Sequence, residues 1–293
     1  MAASSAAARH RTNEGQIFYN ADMLTNKGVG AIARCLLFSG ALASAFPAIG
    51  AGGAGSRVQQ SLDLLPDAGR DALRQIVQDH CVVNWTQHKD PAPCERVSLV
   101  NAKGDKSGYA VLTDRKGGAH YLLIPTQTMS GTESGELLDP ETPNFFALAW
   151  HARDLITKFV GHEVPRTAVG LAVNTAHART QNQFHIHIEC VRQDVFDALR
   201  TAAERLTDTL TPVSIAGSTY QALRIMGQDL DGSNPFELLA TLNPDARHHM
   251  GNYTLVVAGM QFKSGPGFAV LTGTGPTGEL LLESSCAVAG GGG

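Results

Sequence analysis

The sequence predicts an α+β fold in which helices pack on an antiparallel sheet. Apolar segments of strand length come in pairs around short turns, as at 109–113 and 120–124, and this pattern is typical of hairpins. Apolar residues repeat with helical spacing after Thr142, whereas residues 184–190 alternate between apolar and polar. Since helices separate pairs of strands rather than single strands, a doubly wound parallel sheet is disfavoured.

Helices are expected at four places. The first runs from about Pro66 to His80. The second has Thr142 as its N-cap and ends at Gly161, because threonine suits an N-cap and glycine a helix stop. The remaining two run from Asp194 to about Leu210 and from Asn234-Pro235 onward.

Two further hairpins are expected in the second half of the chain. Strand 168–174 pairs with the histidine strand, residues 184–191, across the loop 175–182. Residues 253–260 pair with 268–271. An antiparallel sheet built from these hairpins places the loop 175–182 beside the histidine strand.

Composition and charge narrow the class of protein. The chain has 293 residues, of which 43% are hydrophobic, enough for one sizeable domain or two small ones. Its formal net charge is -4 and it has no dense Lys/Arg run. Nucleic-acid binding is therefore disfavoured, because it depends on clustered cations.

The N-terminal residues differ from the rest of the chain. Residues 1–22 lack an apolar period and are expected to be disordered, or to precede a true start at Met23. Residues 23–55 predict a signal or membrane anchor with a Gly-rich linker, because Cys35–Ile49 is almost wholly apolar. Whether such a leader is cleaved stays open. A buried Ala-rich helix is the alternative, and Pro47 argues against it.

The folded domain is expected over 56–286, with a disordered tail over 287–293. Cys81 and Cys94 flank a polar loop, as the partners of a disulfide would. Export would favour their oxidation. The alternative is two unpaired thiols.

The histidine strand has the strongest functional signal. Side chains alternate along a strand, so His185, His187 and Glu189 share one face and lie roughly 6–7 Å apart in succession. Two imidazoles at that spacing can meet one phosphate or one metal ion. The apolar residues between them face the core.

Three interpretations of this strand remain open. The histidines can simply be half-exposed on an open sheet face. They can bind a metal together with Glu189, with a further ligand from His177 or the pair His248-His249. A neutral imidazole can also act as a nucleophile toward phosphorus.

The loop before the strand favours phosphate over metal, because it is rich in amide and guanidinium donors. Its amide donors include Asn174, Gln181 and Asn182. Arg179 is either a phosphate clamp or a solvent-facing loop residue.

The strand resembles the signature of the histidine-triad (HIT-like) superfamily, His-φ-His-φ-His-φ-φ with φ apolar. The spacing of Asn174, Gln181 and His185 fits that family without a gap. The resemblance implies a HIT-like domain in which His187 is the nucleophile and His185 the first histidine. It also implies that Asn174 and Gln181 bind substrate and that Asn182 lies next to the phosphate. Glu189 stands in place of the third histidine. A shifted register would make His185 the middle histidine, with Gln183 replacing the first.

Several segments more closely resemble the bacterial CDP-diacylglycerol pyrophosphatase family, over roughly residues 70–260. They are Gly131-Thr-Glu-Ser134, Thr142-Pro-Asn-Phe-Phe146, residues 179–188, Ala246-Arg-His-His-Met-Gly251 and the spacing of Cys81 and Cys94.

This resemblance implies hydrolysis of CDP-diacylglycerol to CMP and phosphatidate in phospholipid metabolism, without a metal or other cofactor. It also implies action at a membrane surface, by a periplasmic domain anchored in the bacterial inner membrane. The oligomeric state stays open. The alternatives are a HIT-like hydrolase or transferase of soluble nucleotide anhydrides, and a periplasmic metal- or ligand-binding module.

The loss of a third histidine is chemically tolerable. Phosphatidate leaves as a phosphate monoester of low basicity and needs little protonation, so a proton relay is dispensable. Glu189 is expected either to hydrogen-bond His187 or His185, or to be a solvated carboxylate at the rim of the site.

Overall fold

The computed structural model describes residues 69–99, 108–275 and 277–290. These residues form helices and an antiparallel sheet, which confirms the α+β prediction. The predicted start at Met23 and the leader over 23–55 lie outside the described residues. None of the described helices has the length and apolar character needed to cross a membrane.

The described strands form one ten-stranded sheet with the order β1-β2-β3-β5-β4-β8-β9-β7-β6, in which paired strands are antiparallel. The short β10 pairs with the end of β5, next to β3. The strand bounds are β1 Arg96–Ser98, β2 Tyr109–Thr113, β3 Tyr121–Pro125, β4 Val169–Val173, β5 Ile186–Val191, β6 Thr211–Ile215, β7 Ser218–Met226, β8 Thr254–Phe262, β9 Gly265–Gly273 and β10 Leu282–Glu283. All three predicted hairpins are confirmed.

Eight α-helical segments accompany the sheet in the described part of the chain. They are α1 Ala72–Gln75, α2 Val82–His88, α3 Phe145–His151, α4 Asp154–Val160, α5 Gln193–Ala202, α6 Pro235–Leu242, α7 Pro244–His248 and α8 Ala287–Gly290. A π-helical segment, Ile76–Cys81, joins α1 to α2.

The two faces of the sheet are covered differently. Helices α3, α4 and α6 pack on one face, where Phe146, Trp150 and Phe184 are almost fully buried. Each such side chain stabilises the fold by roughly 1.5–3 kcal/mol. On the other face, α1 and the π-helical segment cover β2 and β3. Helix α5 covers the half of the sheet that runs from β4 to β6. The polar side chains of β5 lie on this second face.

Three predicted helix bounds were wrong. The first helical run continues past His80 to His88. The second begins after Asn144, whose side chain accepts a hydrogen bond from Ala147 N, and not after Thr142. It is then interrupted because Arg153 donates to the Trp150 carbonyl at 2.7 Å, although its end at Gly161 is confirmed.

The helix predicted to reach Leu210 ends at Ala202. The chain turns there through a hydrogen bond from Arg205 N to the Ala202 carbonyl, and this turn buries Leu206. The short helix after Asn234 is confirmed.

Two disulfides are present in the described residues. The predicted Cys81–Cys94 bond is confirmed and joins the π-helical segment to the loop before β1. Cys190–Cys286, which was not predicted, fastens the C-terminal segment to β5. Residues 287–290 therefore form a short helix where disorder was expected, and 291–293 lie outside the described residues.

Candidate active site

Strand β5 holds His187 and Glu189 in the middle of the sheet. His187 pairs with Leu122 of β3 on one side and Ala172 of β4 on the other. Each of the two polar side chains is only 4% exposed. Phe184, Ile186, Ile188 and Cys190 face the opposite core, as predicted. Two buried polar groups on an otherwise apolar strand require partners within the fold.

His120 is the partner that joins them. Since Tyr121 pairs with Ile188, the register continues to place His120 opposite Glu189. The His120 ring is 1% exposed, and its Nε2 lies 2.9 Å from Nδ1 of His187. The same nitrogen lies 3.2 Å from Oε1 of Glu189. That carboxyl oxygen makes no hydrogen bond of good geometry, because His120 Nε2 is hydrogen-bonded to His187.

Asp114 lies at the far side of the His120 ring, with Oδ1 3.6 Å from Nδ1. A carboxylate at this position favours the imidazole tautomer that has its proton on Nδ1. His120 Nε2 then accepts a hydrogen bond from Nδ1–H of His187. In that arrangement the lone pair of His187 lies on Nε2.

Nε2 of His187 faces a second group of polar atoms. Asn174 Nδ2 lies 3.4 Å from it and Glu279 Oε2 lies 3.5 Å from it. The Asn174 amide also donates to Glu279 Oε2 at 3.3 Å and accepts from the Glu279 backbone N–H at 3.1 Å. Lys116 forms an ion pair with Oε1 of the same carboxylate.

Burial sets the protonation of this group. It lowers the pKa of His187 well below its usual value, and the neighbouring His185 and His120 lower it further. Burial also lowers the pKa of His120. Both imidazoles are therefore neutral at neutral pH, which leaves the His187 lone pair available. Burial, assisted by Glu279, raises the pKa of Glu189 to about 8.

A cavity of about 590 Å³ is lined by His187 and by Asn174 and Glu279, the two residues next to its Nε2. One wall is apolar and comes from α1, the π-helical segment and strands β2 and β3. The other end is polar. The apolar residues are Ala72, Leu73, Ile76, Leu112 and Leu122, and the polar end contains Asp114, Arg115, Lys116, Asn174, His185, His187 and Glu279. A volume of this size suits a small-molecule ligand.

Two other predicted residues lie at this cavity. His185 lines it, and its Nδ1 donates to the Gln183 carbonyl at 2.8 Å; its ring centre is 5.0 Å from that of His187. Gln181 also lines the cavity, but its amide is used within the protein. It accepts from Leu73 N and donates to the Gly69 carbonyl, both at 3.2 Å.

Arg179 and Asn182 are not among the described residues that line the cavity. The Arg179 guanidinium pairs with Glu133 at 2.5 Å, so its charge is already compensated. Asn182 accepts a hydrogen bond from the Arg70 side chain at 3.2 Å. Both side chains therefore make contacts within the protein, and their role in substrate binding stays a prediction.

Neither expectation for Glu189 was correct. It is buried and not a solvated rim carboxylate, and its nearest partner is His120, not His187 or His185. The reason is the register of β3 against β5, which places His120 on the adjacent strand directly opposite Glu189.

Four residues of the site were not predicted from the sequence: His120, Asp114, Lys116 and Glu279. His120 gave a usable signal, because it begins an apolar strand and shares a face with Leu122. Asp114 and Lys116 belong to the turn that was identified only as a turn. Glu279 gave none, since it lies far from the histidine strand in the chain and has no motif around it.

One cluster of the described residues could also hold a metal ion. His120, His187, Glu189 and Glu279 present ligand atoms within 4.8 Å of one another. These ligand types suit zinc. The cluster differs from the predicted one, since it lacks His185, His177 and the pair 248–249. A cation bound there would displace the proton that His187 and His120 share.

The chain also matches a known protein family. A family model described as CDP-diacylglycerol pyrophosphatase matches residues 68–289, which is most of the chain and includes every site residue named above. The chain therefore belongs to the CDP-diacylglycerol pyrophosphatase family and is a hydrolase that acts on a pyrophosphate bond.

Proposed function

We propose that the protein hydrolyses CDP-diacylglycerol to CMP and phosphatidate through a covalent intermediate on His187. The main support is the environment of this ring. Its Nδ1 is held by His120 at 2.9 Å, while its Nε2 faces the cavity. A histidine nucleophile requires this combination of a fixed tautomer and an accessible lone pair.

In the first half-reaction, Nε2 attacks the phosphorus of the CMP moiety. A nitrogen–phosphorus bond forms, and the bond from that phosphorus to the bridging oxygen breaks. Phosphatidate departs with the electron pair and needs little protonation. The positive charge that develops on the His187 ring is stabilised because Nδ1–H donates to His120.

In the second half-reaction, water attacks the same phosphorus and the nitrogen–phosphorus bond breaks. CMP leaves with the water oxygen, and the electron pair returns to Nε2. The water proton that is not retained by CMP passes to solvent. His187 is neutral again and ready for another turnover.

The cavity walls support a substrate with both polar and apolar parts. The polar end supplies Lys116 and Arg115 for phosphates, and the opposite wall is apolar. Turnover of CDP-diacylglycerol should therefore exceed that of CDP-alcohols and dinucleotides at equal concentration. Equal turnover of the soluble compounds would favour a broader nucleotidyl hydrolase.

Substitution of the proposed nucleophile tests the mechanism. His187→Ala should abolish CMP release from CDP-diacylglycerol, because no other group would form the intermediate. His177→Ala is the matched control, since His177 is exposed in the loop before the strand. Full activity of His187→Ala would contradict the mechanism.

We also propose that the domain is HIT-like and acts at the periplasmic surface of the bacterial inner membrane. A central strand that carries His187, with His185 directly before its start, supports the first point. The disulfides Cys81–Cys94 and Cys190–Cys286 support the second, because they favour an oxidising compartment. Cell fractionation with thiol labelling checks this: reduced cysteines in a cytosolic fraction would contradict it.

A further inference from the structure

The carboxylate of Glu279 reaches the nucleophile from a separate part of the chain. Its backbone is fixed, because Asn174 Oδ1 accepts from its N–H at 3.1 Å and the next residues form β10 against β5. The Cys190–Cys286 disulfide fastens the same segment. The side chain itself is 22% exposed and borders the cavity, so it can rotate toward solvent when another anion takes its partners.

The contacts of this carboxylate are those that a bound phosphate would need. One oxygen lies 3.5 Å from Nε2 of His187 and accepts from the Asn174 amide at 3.3 Å. The other oxygen pairs with Lys116. An ammonium group and an amide are common phosphate donors, and here both are used by an anion of the protein itself.

A reacting phosphate must come close to Nε2, so it needs the space and the donors that Glu279 uses. A carboxylate and a phosphate cannot both occupy this position, since like charges at such distances repel each other strongly. The Glu279 side chain is the group that rotates away, because it lies at the edge of the cavity, while Lys116, which is 62% exposed, can follow the incoming phosphate.

We propose that Lys116 and Asn174 form the subsite for the reacting phosphate, and that Glu279 occupies this subsite until substrate displaces it. The inference rests on the proposed function, because it takes the phosphate next to His187 as the ligand. Lys116 is thereby a substrate-binding residue, and Glu279 is a competing internal anion that weakens phosphate binding.

Equilibrium binding of CMP to the full chain tests this, with inorganic phosphate as a second probe. Glu279→Gln should lower the Kd of CMP about tenfold, because the competing charge is removed while the shape is kept. Glu136→Gln is the matched control: it makes the same charge change at an exposed residue away from the cavity and should leave the Kd unchanged. Lys116→Met should raise the Kd about tenfold.

The same measurements in a His187→Ala background separate this proposal from the histidine mechanism. CMP binding requires no covalent step, so the effects of Glu279→Gln and Lys116→Met should persist there. Failure of the mechanism would show instead as full turnover by His187→Ala.

Two outcomes would overturn the subsite. The first is an unchanged or higher Kd in Glu279→Gln, with Glu279→Ala measured as well in case the glutamine variant unfolds. The second is an unchanged Kd of CMP in Lys116→Met. Accumulation of the His187–CMP intermediate in Glu279→Gln, together with the first outcome, would assign Glu279 to the hydrolysis step.

Discussion

Glu189 is a carboxyl group that the fold removes from water, and its replacement by glutamine tests the electrostatics of the site. Burial raises its pKa from 4.5 to about 8. In the unfolded chain the same group ionises near its ordinary value. At pH values between these two pKa values, the folded state therefore keeps a proton that the unfolded state has lost.

This difference in bound protons determines whether stability rises or falls with pH. Because the folded state binds the extra proton, stability falls as pH rises through the interval and the loss is complete above the folded pKa. The full shift corresponds to about 5 kcal/mol, and the part between pH 5 and pH 7 to roughly 3 kcal/mol. Glu189→Gln removes this dependence, so the variant should gain stability relative to the wild type as pH rises.

Thermal unfolding across pH 5 to 9 measures the effect. For a chain of this size, 3 kcal/mol corresponds to roughly 6–12 °C in Tm. The Tm difference between Glu189→Gln and the wild type should grow by about that amount from pH 5 to pH 7. Glu136→Gln should show no such trend. A constant Tm difference for Glu189→Gln over the whole range would refute the burial argument.

Three further predictions concern His187, His120 and the second disulfide. Because burial keeps the pKa of His187 well below its usual value, kcat/KM should fall only below about pH 6.5; loss beginning above that pH would contradict this. His120→Ala should lower kcat by about 10²-fold with little change in the Kd of CMP, and His120→Gln should recover part of the rate by restoring an acceptor; an unchanged kcat would contradict the positioning role. Replacing Cys190 and Cys286 by Ala opens a loop of 96 residues and should cost about 4–5 kcal/mol in urea unfolding, and a loss below about 1 kcal/mol would contradict it.

The sequence contained enough information for the architecture because local patterns determine it. Alternating polarity assigned the two faces of the histidine strand, and short turns identified the hairpins. The Cys81–Cys94 disulfide was also predictable, since both cysteines flank one loop. Helix bounds were harder: the side chain of Arg153 competes for the Trp150 carbonyl, and no periodicity in the sequence shows that contact.

The site was only half predictable, because its contacts join distant parts of the chain. His187 and Asn174 were identified from one continuous segment. The contact between Glu189 and His120 depends on the register of β3 against β5, and Glu279 reaches His187 only after the C-terminal segment folds back. The ion pair of Arg179 was not predictable for the same reason, since its partner Glu133 lies on another loop.

Detection of the covalent intermediate is the most direct test of the mechanism. Protein mixed with CDP-diacylglycerol and denatured within one turnover should contain a CMP group on the peptide that includes His187, as identified by mass spectrometry. His187→Ala should contain none, and His177→Ala should match the wild type. Formation of CMP and phosphatidate without any labelled peptide at every time within a turnover would contradict histidine covalent catalysis.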